Sequence, residues 1–123
     1  MGKSKLVTAL DAVTATTVSD VINIKYAKKV TFLFRRADHV AGSSIFSIQS
    51  SIDGETYKDD ATMIPNSPNS ASQNVVREIS RTLTSNDTKH CALDLENFCY
   101  ESIKVKVTEV TDGTHTCKCL VEY

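Results

Sequence analysis

Nothing constrains the fold of this chain more than the segment Lys29 to Arg36, where Val30, Phe32 and Phe34 alternate with Thr31, Leu33 and Arg35. Successive side chains of a strand point to opposite faces, so this period of two predicts a β-strand with Val30, Phe32 and Phe34 in the core. Ser44 to Ile52 repeats the pattern, with Phe46 and Ile48 inward and Ser47, Gln49 and Ser51 outward. Val18, Ile22 and Ile24 share one parity and predict a further strand over Val18 to Ile24.

Turn chemistry supplies the connections. Asp53-Gly54 offers the two positive-φ positions of a type I′ hairpin turn. That register sets Ile52 against Glu55 and Ser50 against Tyr57, and places the Tyr57 ring beside Phe46 and Ile48. Val75, Ile79 and Leu83 fit one side of a helix or one parity of a strand. Thr82, Thr84 and Ser85-Asn86-Asp87 disfavour helix, so Val75 to Leu83 is read as a strand. Ser102 to Val110 and Thr114 to Tyr123 read as a hairpin across Thr111-Asp112-Gly113, with Gly113 left-handed. This loop opposes Val107 with Cys117, Val105 with Cys119 and Ile103 with Val121, all facing the core. Lys104, Lys106, Thr108, Lys118, Leu120 and Glu122 occupy the other face.

Short strands separated by turns, without a convincing helix, predict an all-β chain, an antiparallel β-sandwich of jelly-roll type, with a barrel as the alternative. Valine, threonine and serine dominate the sequence, which suits a pleated surface. The 123 residues can bury one core, so residues 1–123 are expected to form a single domain. Residues 59–73 are the longest stretch without periodicity and hold both prolines, Pro65 and Pro68. This long loop is a candidate contact element.

Charge and composition exclude several classes. A formal net charge of -1 gives no field that would steer the chain onto nucleic acid. The charge is uneven: residues 1–40 carry seven Lys or Arg against three Asp, and residues 41–123 carry seven against twelve acids. A basic end and an acidic end would suit head-to-tail packing. No run approaches the ~20 apolar residues of a membrane helix. Met1 to Leu6 lacks the apolar region of a secretory signal, so synthesis in a cytosol is expected.

Chemistry-bearing residues are few. His90, Cys91, Cys99, His115, Cys117 and Cys119 could supply tetrahedral zinc. The spacing is against it, because Cys117 and Cys119 stand two apart on a strand, about 7 Å from each other, rather than on a tight knuckle. The same separation opposes a disulfide between them, and a Cys91 to Cys99 link is geometrically open. The cysteines are read as free thiols serving as small core residues. His39, His90 and His115 accompany no nucleophile motif, and the four glycines form no phosphate cradle. Asp53, Glu55, Asp59 and Asp60 lack the spacing of an EF-hand. Hence no catalytic residue, cofactor or metal is expected.

Three stretches carry a resemblance. These are Lys29-Val30-Thr31-Phe32-Leu33-Phe34-Arg35, the turn Ser50-Ser51-Ile52-Asp53-Gly54-Glu55-Thr56-Tyr57, and Ile103 to Thr108 followed by Thr111-Asp112-Gly113-Thr114. In this order of elements the chain resembles small β-sandwich structural proteins of tailed-phage particles, of the type that decorates or cements the head. The resemblance implies a non-enzymatic virion protein on the capsid surface, contacting the major capsid protein and other copies of itself. It further implies a symmetric homo-oligomer, with a trimer favoured, and contacts through a candidate N-terminal arm at residues 1–13 or the loop at 59–73. The turn from Ser51 to Tyr57 is also similar to one in discoidin-like sugar-binding sandwiches, which implies a carbohydrate-binding alternative using Tyr26, Tyr57, Tyr100 or Tyr123. A metal-binding β-domain built on the C-terminal Cys/His cluster is the third reading.

Overall fold

The alternating segments Lys29 to Arg36 and Ser44 to Ile52 both become strands. The computed structural model describes residues 3–58, 62–63, 77–78, 80–95 and 100–123. Its strands are β1 (Ser4–Val13), β2 (Thr17–Val18), β3 (Ile22–Asn23), β4 (Lys29–Ala37), β5 (Ser44–Ser51), β6 (Thr62–Met63), β7 (Arg77–Glu78), β8 (Ser80–Leu83), β9 (Asp87–Asp94), β10 (Ser102–Thr108) and β11 (Thr114–Glu122). Among the described residues there is no helix.

One sheet has the order β1-β11-β4-β9 and the other β2-β10-β5-β8, with β3 also pairing β10. All of these pairs are antiparallel. If β2 and β3 are taken as one interrupted strand, the order is that of a jelly roll, a single-domain sandwich. Val30, Phe32 and Phe34 of β4 meet Phe46 and Ile48 of β5 in the space between the sheets, all buried. Phe34 lies between Phe32 and Phe46, with ring centroids 5.8 and 4.9 Å away.

Four expectations change in the fold. Ser102–Thr108 and Thr114–Glu122 do not form a hairpin: β10 pairs with β5, β11 pairs with β4 and β1, and residues 109–113 cross from one sheet to the other. Val105, Val107, Cys117, Cys119 and Val121 are still buried, because stacked sheets hide the same faces that a hairpin would. Asp53-Gly54 is not a two-residue turn either. Ser50 bridges Lys58, and only Gly54 of the two turn residues has a positive φ. Tyr57 therefore leaves the core and lies over the outer face of β10, where its hydroxyl is 2.7 Å from Ser102 Oγ and Lys104 Nζ sits 4.3 Å from its ring.

The strand expected over Val18 to Ile24 is interrupted. Ser19 N–H donates to Val105 O (2.7 Å), and Ser19 Oγ accepts from Val105 N–H (2.8 Å), so the side chain takes the place of a ladder carbonyl. The resulting bulge turns Val18 outward while Ile22 and Ile24 stay buried. Finally, Ser4–Val13 of the expected N-terminal arm is an edge strand along β11, with register shifts between Thr8 and Leu10 and between Leu10 and Val13. The first shift lets Leu10 enter the core as Val7 and Ala9 pack against it.

Of the 59–73 loop, Thr62–Met63 pairs with Arg77–Glu78, and the remainder lies outside the described residues. Within the strand expected over Val75 to Leu83, β8 supplies buried Leu83, whereas Val75 and Ile79 lie outside the described residues.

Candidate interaction surfaces at the two poles

β4 runs from one pole of the sandwich to the other, so the connections before and after it define two opposite surfaces. At its far end the inward parity of Val30, Phe32 and Phe34 continues to Arg36, which is 1% exposed. A buried guanidinium needs acceptors for its donors, and the closing loops provide them. Nη1 donates to Gly42 O (3.1 Å) and Leu83 O (2.8 Å), and Nη2 donates to Ala41 O (3.0 Å) and Asp112 O (3.2 Å). Nη2 also bridges the Asp112 carboxylate at 3.0 Å. Nε alone is a buried side-chain nitrogen without a partner among the described residues.

Asp112 returns the connection. Its Oδ1 accepts from Val40 N–H (3.1 Å) and its Oδ2 from Ala41 N–H (2.8 Å). These amide donors, Val40 first, and the nearby Arg36 hold the carboxyl below its ordinary range. Gly113 is required beside them: its φ is +89°, and a Cβ there would stand 2.8 Å from Ala37 O. The 38–43 and 109–113 connections and the end of β8 are thus tied to one cation. His39 is half-buried in the 38–43 loop, with its backbone N–H on Asn86 Oδ1 (2.8 Å).

His115 stands opposite Arg36 in the ladder and is completely buried. Val13 O can only accept, so the Nδ1 contact of 3.3 Å places a proton on Nδ1. Nε2 then accepts from the Ser44 hydroxyl at 2.7 Å. The imidazole ties β1 to β5 across the sandwich, and burial pushes its pKa down from the ordinary value.

The opposite pole is apolar and open. Ile24, Tyr26, Ala27, Ile52, Leu95 and Tyr100 border a depression of about 600 Å³, with Lys25 and Glu101 at its margin. Tyr26 and Ile52 are 84% and 78% exposed. Tyr26 has φ +69°, a left-handed conformation rare for a bulky residue. The turn holds it there through Ala27 N–H to Ile24 O (3.0 Å) and Lys25 N–H to Asn23 Oδ1 (2.9 Å). Of the expected aromatic platform, Tyr26 and Tyr100 share this depression; Tyr57 is on the outer face of β10, and Tyr123 borders a separate shallow site with Lys3.

Among the described residues the cysteines and histidines do not gather into one cluster. Cys117 and Cys119 are buried free thiols, and Cys91 is a half-buried free thiol on edge strand β9. The adjacent Cys119 thiol and burial push Cys117 far above the ordinary thiol range, and burial pushes Cys91 up. Cys99 lies outside the described residues. Among the described residues no three His, Cys, Asp or Glu side chains are placed to hold a metal ion. Asp53 is committed to its own loop: Oδ1 accepts from Glu55 N–H and Thr56 N–H, each at 2.8 Å, and from Ser51 Oγ–H at 2.9 Å. Those donors, Thr56 first, lower its pKa to about 2. Glu55 is exposed on the same loop, and Asp59 and Asp60 lie outside the described residues.

Sequence reading missed the Arg36 cluster, although a signal existed. Arg36 is the next inward position after Phe34, and Asp112-Gly113 is the turn that receives it. For the left-handed Tyr26 there was no signal.

Fold and poles together define a jelly-roll sandwich with one clamped pole and one apolar pole. No family model and no curated protein matches the sequence. Among solved structures the chain is similar to the SPBc2 prophage-derived protein YomS, with a TM-score of 0.69 at 10% identity, covering 100% of this chain and 96% of that one. It is also similar to the PBSX exported protein XepA, with a TM-score of 0.71 at 9% identity, spanning 99% of this chain but 38% of XepA. The VP2 subviral particle of infectious bursal disease virus gives 0.51 at 11% identity over 98% of this chain and 32% of that one. Its structural neighbours thus include prophage-derived and viral particle proteins, and at these identities the likeness establishes the fold.

Proposed function

We propose that this chain is a non-enzymatic structural protein of a phage particle, which decorates or cements the capsid through many weak contacts with the major capsid protein. The observation that carries this reading is the full-length likeness to a prophage-derived sandwich, together with a pole whose apolar side chains are exposed. A small module of this kind gains affinity by repetition, since each linked contact raises the effective concentration for the next. Self-association into a symmetric cluster, with a trimer favoured, would supply that repetition.

Co-sedimentation with purified particles tests the reading. Retention with the capsid, in stoichiometry with the major capsid protein and weakened by Ile52→Asp, is the expected result. A monomer that stays in the supernatant at every concentration overturns it.

Tyr26 and Tyr100 on one depression favour a second reading, a carbohydrate-binding module of a tail or fibre. Retention on immobilised glycans that is abolished by Tyr26→Ala, without capsid association, would select it over the first.

A further inference from the structure

We propose that His115 is a proton-operated latch: taking up a proton in mildly acidic solution loosens the Arg36 pole and releases the C-terminal end of edge strand β1. The geometry leaves little room for a second charge. His115 is completely buried and is the direct cross-strand partner of Arg36, which is itself buried. Among the described residues Asp112 is the carboxylate paired with Arg36, and it already binds the guanidinium and two amides.

β4 contributes the Arg36 cation, and the 109–113 crossing contributes Asp112. β5 contributes the Ser44 hydroxyl and the Phe46 ring, whose centroid is 5.7 Å from the imidazole. β1 contributes Val13 O, and β11 itself places Cys117 two positions along on the same face. Among the described residues the charged groups acting on the imidazole are Arg36 and Asp112, in opposite directions. Burial, the largest influence, disfavours the imidazolium.

Protonation does not break the hydrogen bonds outright, since the Ser44 hydroxyl can turn and accept. Its effect is electrostatic: a second cation enters the dry space opposite the first. A histidine whose folded-state pKa is depressed stabilises the fold at neutral pH, and that contribution is lost as pH falls below the unfolded value of about 6.5. Below that value an opening that requires one proton becomes about tenfold more favourable per pH unit, until the folded state also takes up the proton. β1 yields first because it is an edge strand with two register shifts, and its last residue, Val13, is the one bonded to the ring.

The test is hydrogen exchange on the complete chain between pH 7.5 and pH 4.5, corrected for intrinsic exchange and read at the amide of Ala12, which donates to Thr116 Oγ1 across the β1–β11 pair (3.2 Å). A parallel NMR titration of the His115 imidazole is recorded on the same sample. Protection at Ala12 should fall about tenfold per pH unit below about pH 6.5 and level off as His115 titrates, while the Phe32 and Val105 amides stay protected. His115→Gln should remove that pH dependence, whereas His39→Gln and His90→Gln should leave it. Should His115→Gln fail to fold, the imidazole titration and the Ala12 exchange of the unaltered chain decide alone. The latch is overturned if Ala12 protection does not change between about pH 6.5 and the pH at which His115 titrates, or if it goes on falling after that titration is complete.

Discussion

Arg36 and Asp112 lie 76 positions apart in the chain and 3.0 Å apart in space. Their bridge joins the end of β4 to the crossing between β10 and β11, which belong to different sheets. The pair therefore closes one pole of the sandwich, and the carbonyls of Ala41, Gly42 and Leu83 depend on the same guanidinium.

Replacing Arg36 should therefore cost much more than an ordinary surface substitution. Arg36→Ala strips the donor from the buried Leu83 carbonyl and from the Ala41 and Gly42 carbonyls, and breaks an ion pair whose cation is buried, a loss on the order of 3–5 kcal/mol in urea unfolding. Arg36→Lys should recover only part of it, because an ammonium cannot reproduce the planar fork.

Gly113→Ala tests the same pole through the backbone. The added Cβ would meet Ala37 O, and the left-handed φ of +89° is unfavourable for alanine. A destabilisation on the order of 1–3 kcal/mol is expected in thermal or urea unfolding.

Ser19 replaces a strand carbonyl with its own hydroxyl. Ser19→Ala leaves Val105 N–H without its acceptor in a buried place, at about 1–3 kcal/mol. Ser19→Thr should retain most of the stability, and exchange of the Val105 amide separates the two variants.

Asp53 makes the 51–57 loop acid-sensitive at a very different pH from His115. Its folded-state pKa of about 2 lies below the ordinary 3.8, so its stabilisation is present above about pH 3.8 and is lost as pH falls through about 2. The amide shifts of Glu55 and Thr56 should titrate together near pH 2, and Asp53→Asn should abolish that transition.

Thiol chemistry checks the core assignment. In the folded protein a thiol reagent should leave Cys117 and Cys119 unmodified, because both are buried, and should modify Cys91 slowly. Mass mapping before and after denaturation reads this directly. Rapid labelling of Cys117 in native buffer would contradict the burial.

The sequence by itself determined which side of the long strands β4, β5, β10 and β11 faces inward. Val30, Phe32, Phe34, Phe46, Ile48, Val105, Val107, Cys117, Cys119 and Val121 are all buried as the alternation requires, because in a strand the period of two is local backbone geometry. Partners were not legible in the same way. A hairpin and two stacked sheets bury the same faces of Ser102–Thr108 and Thr114–Glu122, so only the tertiary structure sent them to opposite sheets. The burial of Arg36 and His115, the bulge at Ser19 and the outward Tyr57 were decided there too. Each depends on groups distant in sequence: Asp112 for Arg36, Ser44 for His115, Val105 for Ser19 and Ser102 for Tyr57. Pattern reads neighbours along the chain, whereas burying a polar group requires a partner that only folding brings near.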